Sequence, residues 1–94
     1  MKKYLVEFFG TLFFLFVILN SSRVSSNLQP LLIGLSLAIA IMVGGKISGG
    51  NYNPAVSIMM YLGNKLNQDD VIPYILSQIM GGIVALKLTN LLKL

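Results

Sequence analysis

The 94-residue chain contains no cysteine and no histidine. Without cysteine there is no disulfide, no thiolate nucleophile and no sulfur ligand for a metal; without histidine the usual proton shuttle and commonest metal ligand are missing. Acidic residues are nearly as scarce: Glu7, Asp69 and Asp70 are the only ones. No nucleophile–base pair accompanies them, so the sequence gives no reason to expect catalytic residues, a metal or a cofactor, and argues against an enzyme. Charged residues make up 11% of the chain and hydrophobic ones 55%. A soluble domain this small could not hide that much apolar surface, so its solvent must be a bilayer. The net charge of +4 does not point to nucleic acid, because the lysines and arginine sit at the ends of apolar segments. They read as membrane-interface residues.

A spanning helix needs about 20 mostly apolar residues, so three spans with short connections would take up nearly the whole length. The first runs over residues 4–19. A cleaved signal peptide could also begin this way, but Glu7 interrupts the segment and Asn20, Ser21, Ser22 and Arg23 offer no small-residue cleavage site. The polar stretch from Asn20 to Pro30 is a connection. A second span covers residues 31–45, where Gly34, Ser36, Ala38, Ala40 and Gly44 suit close helix contacts. A third covers residues 71–92, with Asp69 or Asp70 as N-cap and Pro73 in the first turn. Lys65, Asp69 and Asp70 read as a solvated turn, and Phe8, Phe9, Phe13, Phe14 and Phe16 as lipid-facing or packing residues.

Between the second and third spans the pattern breaks. Lys46-Ile47-Ser48-Gly49-Gly50-Asn51-Tyr52-Asn53-Pro54 is too polar to span a bilayer and too rich in glycine for a regular helix. Apolar character then returns for residues 54–62 only, a helix of roughly 13 Å against a hydrocarbon core of about 30 Å. Such a helix cannot cross. Asn53 is a favoured N-cap and Pro54 a favoured first helical residue, and Gly63 with Asn64 supplies a C-cap. Blandly, Asn53-Pro54-Ala55 is only a helix start. Between two spans, however, unpaired backbone is tolerated only where it lines a cavity or is buried in protein. Its carbonyls would offer acceptors to a passing solute and the Asn53 side chain would offer donors.

The run Ser48-Gly49-Gly50-Asn51-Tyr52-Asn53-Pro54-Ala55-Val56-Ser57 resembles the first Asn-Pro-Ala loop of the major intrinsic proteins, the aquaporins and glycerol facilitators. The resemblance extends to Glu7-Phe8-Phe9-Gly10-Thr11, to Gly34, and to Ser77-Gln78-Ile79-Met80-Gly81-Gly82, in the family's order and spacing. Val56 marks the first copy of the loop, since a filter arginine follows the second. The resemblance implies an all-α membrane protein: three transmembrane helices plus one re-entrant half-helix, half of an aquaporin-like fold, over a single unit of residues 1–94. It also implies pore-lining roles for Asn53 as amide donor, for the carbonyls of Gly49, Gly50, Asn51 and Tyr52 as an acceptor ladder, and for Pro54 and Ala55. Ile33 falls at a filter position, where an aliphatic residue leaves water and glycerol both open. Lys46 and Asn51 stand where the family often has His, so no gating role of His transfers. Glu7, within an apolar segment, needs partners: it either reaches toward the interface near Lys3 or, as the family suggests, is a buried acceptor for loop amides. Gly10, Gly81 and Gly82 read as helix contacts.

An aquaporin-type pore needs two such repeats in opposite orientation, and this sequence carries one. The expected function is therefore a half-channel subunit for water or small neutral solutes such as glycerol. Its expected partners are the lipid bilayer and an inverted second half, whether an antiparallel copy or a separate chain, with higher homo-oligomers in view. The alternatives are a non-conducting assembly or regulatory subunit, or an inactive fragment. Lys2, Lys3, Lys46 and Lys65 on the expected inner side nearly balance Arg23, Lys87 and Lys93 on the outer, as insertion in both orientations would require. Placement is expected to be multi-pass, in the cell membrane.

Overall fold

In the computed structural model, which describes residues 1–92, four α-helices follow one another: α1 (Lys2–Asn20), α2 (Gln29–Ser48), α3 (Pro54–Leu62) and α4 (Gln68–Leu92). A short 3-10 turn, Ser21–Arg23, closes α1. Three of these helices, α1 with its turn, α2 and α4, are long and apolar enough to cross a membrane. The nine residues of α3 reach only about 13 Å. The fold is therefore an integral, all-α one with three spans and a re-entrant half-helix, as the sequence predicts. Lys93, counted above among the outer charges, lies outside the described residues.

The central element is α1, which packs against both α2 and α4, while α3 lies along α4. Polarity is distributed inside out. The fully buried side chains are mostly polar (Glu7, Thr11, Ser57, Gln78), whereas Phe9, Met42, Val43 and Leu62 are among the many large apolar residues that remain exposed. Lipid can cover the latter at no hydrophobic cost, so helix association rests on close packing and internal hydrogen bonds. Gly81 brings helix backbones together: a Cβ there would lie 2.7 Å from the Phe8 carbonyl oxygen and 3.0 Å from the Leu12 nitrogen, both α1 backbone. At Gly82 a Cβ would meet only the tip of the Leu15 side chain. Small residues on α2 divide by face: Ser36, Ala40 and Gly44 are buried, while Gly34 and Ala38 are exposed and Gly34 has open space around it.

The boundaries differ from the expected ones in informative places. The second span continues past Gly45 to Ser48, and Gly49, at φ +91° with its N–H bonded to the Gly45 carbonyl, is the residue that stops it. Gly44 is a glycine for another reason, because the Tyr52 hydroxyl and Val6 occupy the space its Cβ would take. The third span, α4, begins at Gln68, so Asp69 and Asp70 lie within its first turn and Pro73 in its second. Nor is Asp70 part of a solvated turn. It is buried, accepting from the Lys3 ammonium at 2.8 Å and from the Tyr4 hydroxyl at 2.7 Å, and so ties the N-terminal ends of α1 and α4 together. Lys3 therefore serves Asp70 rather than Glu7.

Candidate functional site

The connection between α2 and α3 is held by the most heavily bonded side chain in the interior. Glu7 is fully buried on α1. Its Oε2 accepts from the Ser48 hydroxyl at 2.8 Å and the Asn51 amide at 3.0 Å, and its Oε1 accepts from the Tyr52 amide and from Gln78 Nε2, both at 2.8 Å. A carboxylate accepts only, with about four lone-pair positions, and here four donors meet them. The Gly50 amide is tied in turn to Ser48 Oγ at 3.1 Å. A second node is the buried Ser57 hydroxyl, which accepts from Asn51 Nδ2 at 3.0 Å and Gln78 Nε2 at 2.7 Å. Gln78 thereby joins α4 to both α1 and α3, and its amide orientation follows from the carboxylate it faces.

This pattern fixes which way the loop backbone points. In a trans peptide the carbonyl lies opposite the N–H, and no peptide bond in the chain is cis. With the amides of Gly50, Asn51 and Tyr52 turned in to Ser48 and Glu7, the carbonyls of Gly49, Gly50 and Asn51 are turned the other way. Among the described residues no donor meets the carbonyls of residues 49–52. The turn needs left-handed backbone at Gly49, Gly50 (φ +65°) and Tyr52 (φ +55°). For a tyrosine that conformation costs on the order of 1–2 kcal/mol. It is held by the Glu7 bond at one end and, at the other, by the Tyr52 hydroxyl donating to the Ala40 carbonyl at 2.6 Å. The Tyr52 ring fits between α1 and α2 only because Gly10 leaves its place empty. A second tyrosine, Tyr74, braces the end of α2 by donating to the Ser48 carbonyl at 2.6 Å.

Asn53 caps α3. Its Oδ1 accepts from the Ala55 amide at 2.8 Å, which leaves the two Nδ2 hydrogens of this exposed residue without a partner among the described residues. They open on a groove of about 630 Å³ between α1 and α4, lined by Thr11, Leu15, Asn53, Pro54, Gln78 and Ile83 among others. Two buried polar atoms lack partners among the described residues, Thr11 Oγ1 and Gln78 Oε1, and both residues belong to this groove wall.

Of the residues expected at the pore, Asn53, Ala55 and Gly49 are exposed and Pro54 half-buried, whereas Gly50, Asn51 and Tyr52 have buried side chains or backbone within this chain. Ile33 stands apart on α2, half-buried, lining neither this groove nor a second, apolar groove of about 430 Å³ between α1 and α2. Ser48, Ser57, Tyr74 and Gln78 were not assigned roles from the sequence. For Gln78 a signal existed: an amide in the middle of an apolar span needs a partner, as Glu7 does.

Sequence similarity to known proteins extends over nearly the whole chain. The family model described as Major intrinsic protein matches residues 1–93. A glycerol uptake facilitator protein-like 6 from Lactiplantibacillus plantarum is 43% identical over 90 residues, covering 90% of this chain and 41% of the relative. The glycerol uptake facilitator protein of Buchnera aphidicola is 40% identical over 96 residues, 94% of this chain and 36% of its own length. Aquaporin-8 of Notomys alexis is 38% identical over 90 residues, 90% of this chain and 34% of the relative. No solved structure matches the chain. The chain thus spans less than half the length of these relatives. From the match across nearly its whole length, the chain belongs to the major intrinsic protein family.

Proposed function

We propose that the chain forms one half of a pore for water or small neutral solutes such as glycerol, in the cell membrane, and that an inverted second half completes it. The observation that carries this reading is the polarity of the loop. Its amides are bound inward by Glu7 and Ser48, its carbonyls are left without protein donors, and Asn53 adds two free N–H donors beside them. A file of hydroxyl-bearing molecules needs such a sequence of acceptors and donors to exchange its water partners for protein ones. The residues proposed to line the path are Asn53, Pro54 and Ala55 with the carbonyls of Gly49, Gly50, Asn51 and Tyr52. Ile33 is proposed as a filter residue that leaves the opening wide enough for glycerol.

Charge supplies the selectivity against ions. The N-terminus of α3 carries roughly half a positive charge, and α3 has no acidic residue in its first turn to offset it. A cation or proton at that depth meets a barrier that a neutral solute does not. The inverted half is required because α3 ends near the midplane, leaving the remaining depth without polar backbone. The named relatives, a glycerol uptake facilitator and an aquaporin among them, support the solute class.

The test is stopped-flow water and glycerol permeability of liposomes containing the chain, compared with Asn53→Asp at equal incorporation. The substitution replaces a donor by an acceptor that carries charge at a helix N-terminus, so neutral-solute flux is expected to fall sharply. Equal flux in the two preparations removes Asn53 from the path.

A further inference from the structure

The exposed face of α4 carries one charge near each end and none between. Asp69 in its first turn and Lys87 in its second half are both exposed. Every exposed residue of α4 between them is apolar, Ile72, Leu76, Met80 and Ile83 among them. Tyr74, Gln78, Gly81 and Ala85 occupy the opposite, buried face. From 69 to 87 is 18 positions, five turns at 3.6 residues per turn, so the two charges stand on one line along the helix, about 27 Å apart. The ion pair formed among the described residues joins Lys3 to Asp70, and neither Asp69 nor Lys87 has a partner of opposite charge there.

Such a face complements itself when turned over. The midpoint of 69 and 87 is 78. About a two-fold axis in the membrane plane at that level, a position above 78 in one copy faces the position equally far below it in the other. Asp69 then meets the second copy's Lys87, Lys87 meets the second copy's Asp69, and Leu76 meets the second copy's Met80. Helix axes about 8–10 Å apart keep both charged pairs within reach. A parallel copy would set Asp69 against Asp69 and Lys87 against Lys87, so the charges that favour the inverted arrangement oppose the parallel one. At the level of the axis Gln78 bonds Glu7 and Ser57 behind the loop, which brings the loops of both copies to one depth. Ile83 also lines the groove that holds Asn53, so copies joined here set their grooves next to each other.

We propose that two copies of this chain pair in inverted orientation through the exposed face of α4, held by two reciprocal contacts between the Asp69 carboxylate and the Lys87 ammonium. Resting on the reading that an inverted half completes the pore, the pairing names that half as a second copy of this chain.

Cross-linking with charge reversal tests it. Copies carrying Leu76→Cys and differently tagged copies carrying Met80→Cys are reconstituted together in liposomes and oxidised; the chain has no cysteine of its own. A disulfide between the two positions is expected. Asp69→Lys in both copies, or Lys87→Asp in both, turns two attractions into two repulsions. At about fivefold in affinity per exposed pair, association should fall roughly 25-fold. Mixing Asp69→Lys copies with Lys87→Asp copies restores opposite charges at both contacts and should restore the disulfide, which also shows that each variant folds. The proposal is overturned if the disulfide is absent between copies with parental charges, or if it is weaker than one between two Leu76→Cys copies. Parental yield in either single reversal overturns it too, as does a mixture that is not rescued. Glycerol flux is recorded on the same liposomes. A charge-dependent disulfide without flux supports this interface and removes the pore reading. Undiminished flux from single-reversal copies that no longer cross-link keeps the pore reading and overturns this pairing as the one that completes it.

Discussion

Replacing Glu7 by glutamine removes one acceptor oxygen from a side chain of almost unchanged shape, which isolates the hydrogen-bonding role of the carboxylate. The new NH₂ must face one of two donor pairs: Ser48 with Asn51, or Tyr52 with Gln78. On the first side Ser48 can rotate its hydroxyl to accept, but the Asn51 amide is left facing an N–H. On the second side Gln78 can turn its oxygen inward, at the loss of its bond to Ser57, and the Tyr52 amide is left unmet. Either way one buried backbone amide loses its acceptor, at about 1–3 kcal/mol, and the surviving bonds lose their charge assistance. Taking a total of about 2–3 kcal/mol for opening the loop, amide hydrogen exchange at Asn51 and Tyr52 should accelerate roughly 30- to 150-fold. The measurement is residue-resolved exchange in micelles, with amides in the middle of α4 as internal reference. Parental exchange at both Asn51 and Tyr52 would refute the reasoning, since it would show that the loop keeps its shape without a fully accepting residue 7.

Other substitutions separate packing from bonding. Gly81→Ala should sharply lower the thermal stability of the chain in detergent, because the added methyl meets α1 backbone atoms that cannot move aside, whereas Gly82→Ala meets only the flexible end of Leu15 and should cost less than about 1 kcal/mol. The reverse order of melting temperatures contradicts the packing described. Gly10→Ala should displace the Tyr52 ring and, through it, speed exchange at the Tyr52 amide; unchanged exchange there would separate the ring from the shape of the loop.

The spans were legible because their signals are long-range averages of hydropathy, and α3 because Asn53-Pro54 at one end and Gly63-Asn64 at the other are strong local caps; its bounds match those expected from sequence. The end of α2 was misplaced because three glycines, Gly44, Gly45 and Gly49, look alike in a sequence while serving different ends. Only Gly49 takes the left-handed conformation that stops the helix. Asp70 was misread because a carboxylate beside a polar turn gives no local sign of a tether 67 positions away, at Lys3. The same limit hid Ser48, Ser57 and Tyr74, small or amphipathic residues whose roles exist only once three helices meet. Glu7 and Gln78 are different: within apolar spans each advertises a need for partners, although which partners only the fold can supply.

Pairing with an inverted copy requires both orientations of the chain in one membrane. The chain has no cysteine, so single thiols placed at Ser22 and at Lys65, on opposite sides of the bilayer, report topology without background. The measurement is labelling of each thiol by an impermeant reagent in sealed liposomes whose water and glycerol flux is recorded in parallel. Flux is expected only in preparations where each site is labelled on both faces, or where a distinct inverted partner has been added. Solute flux from the purified chain with only one of the two sites labelled, and no second protein present, would contradict it.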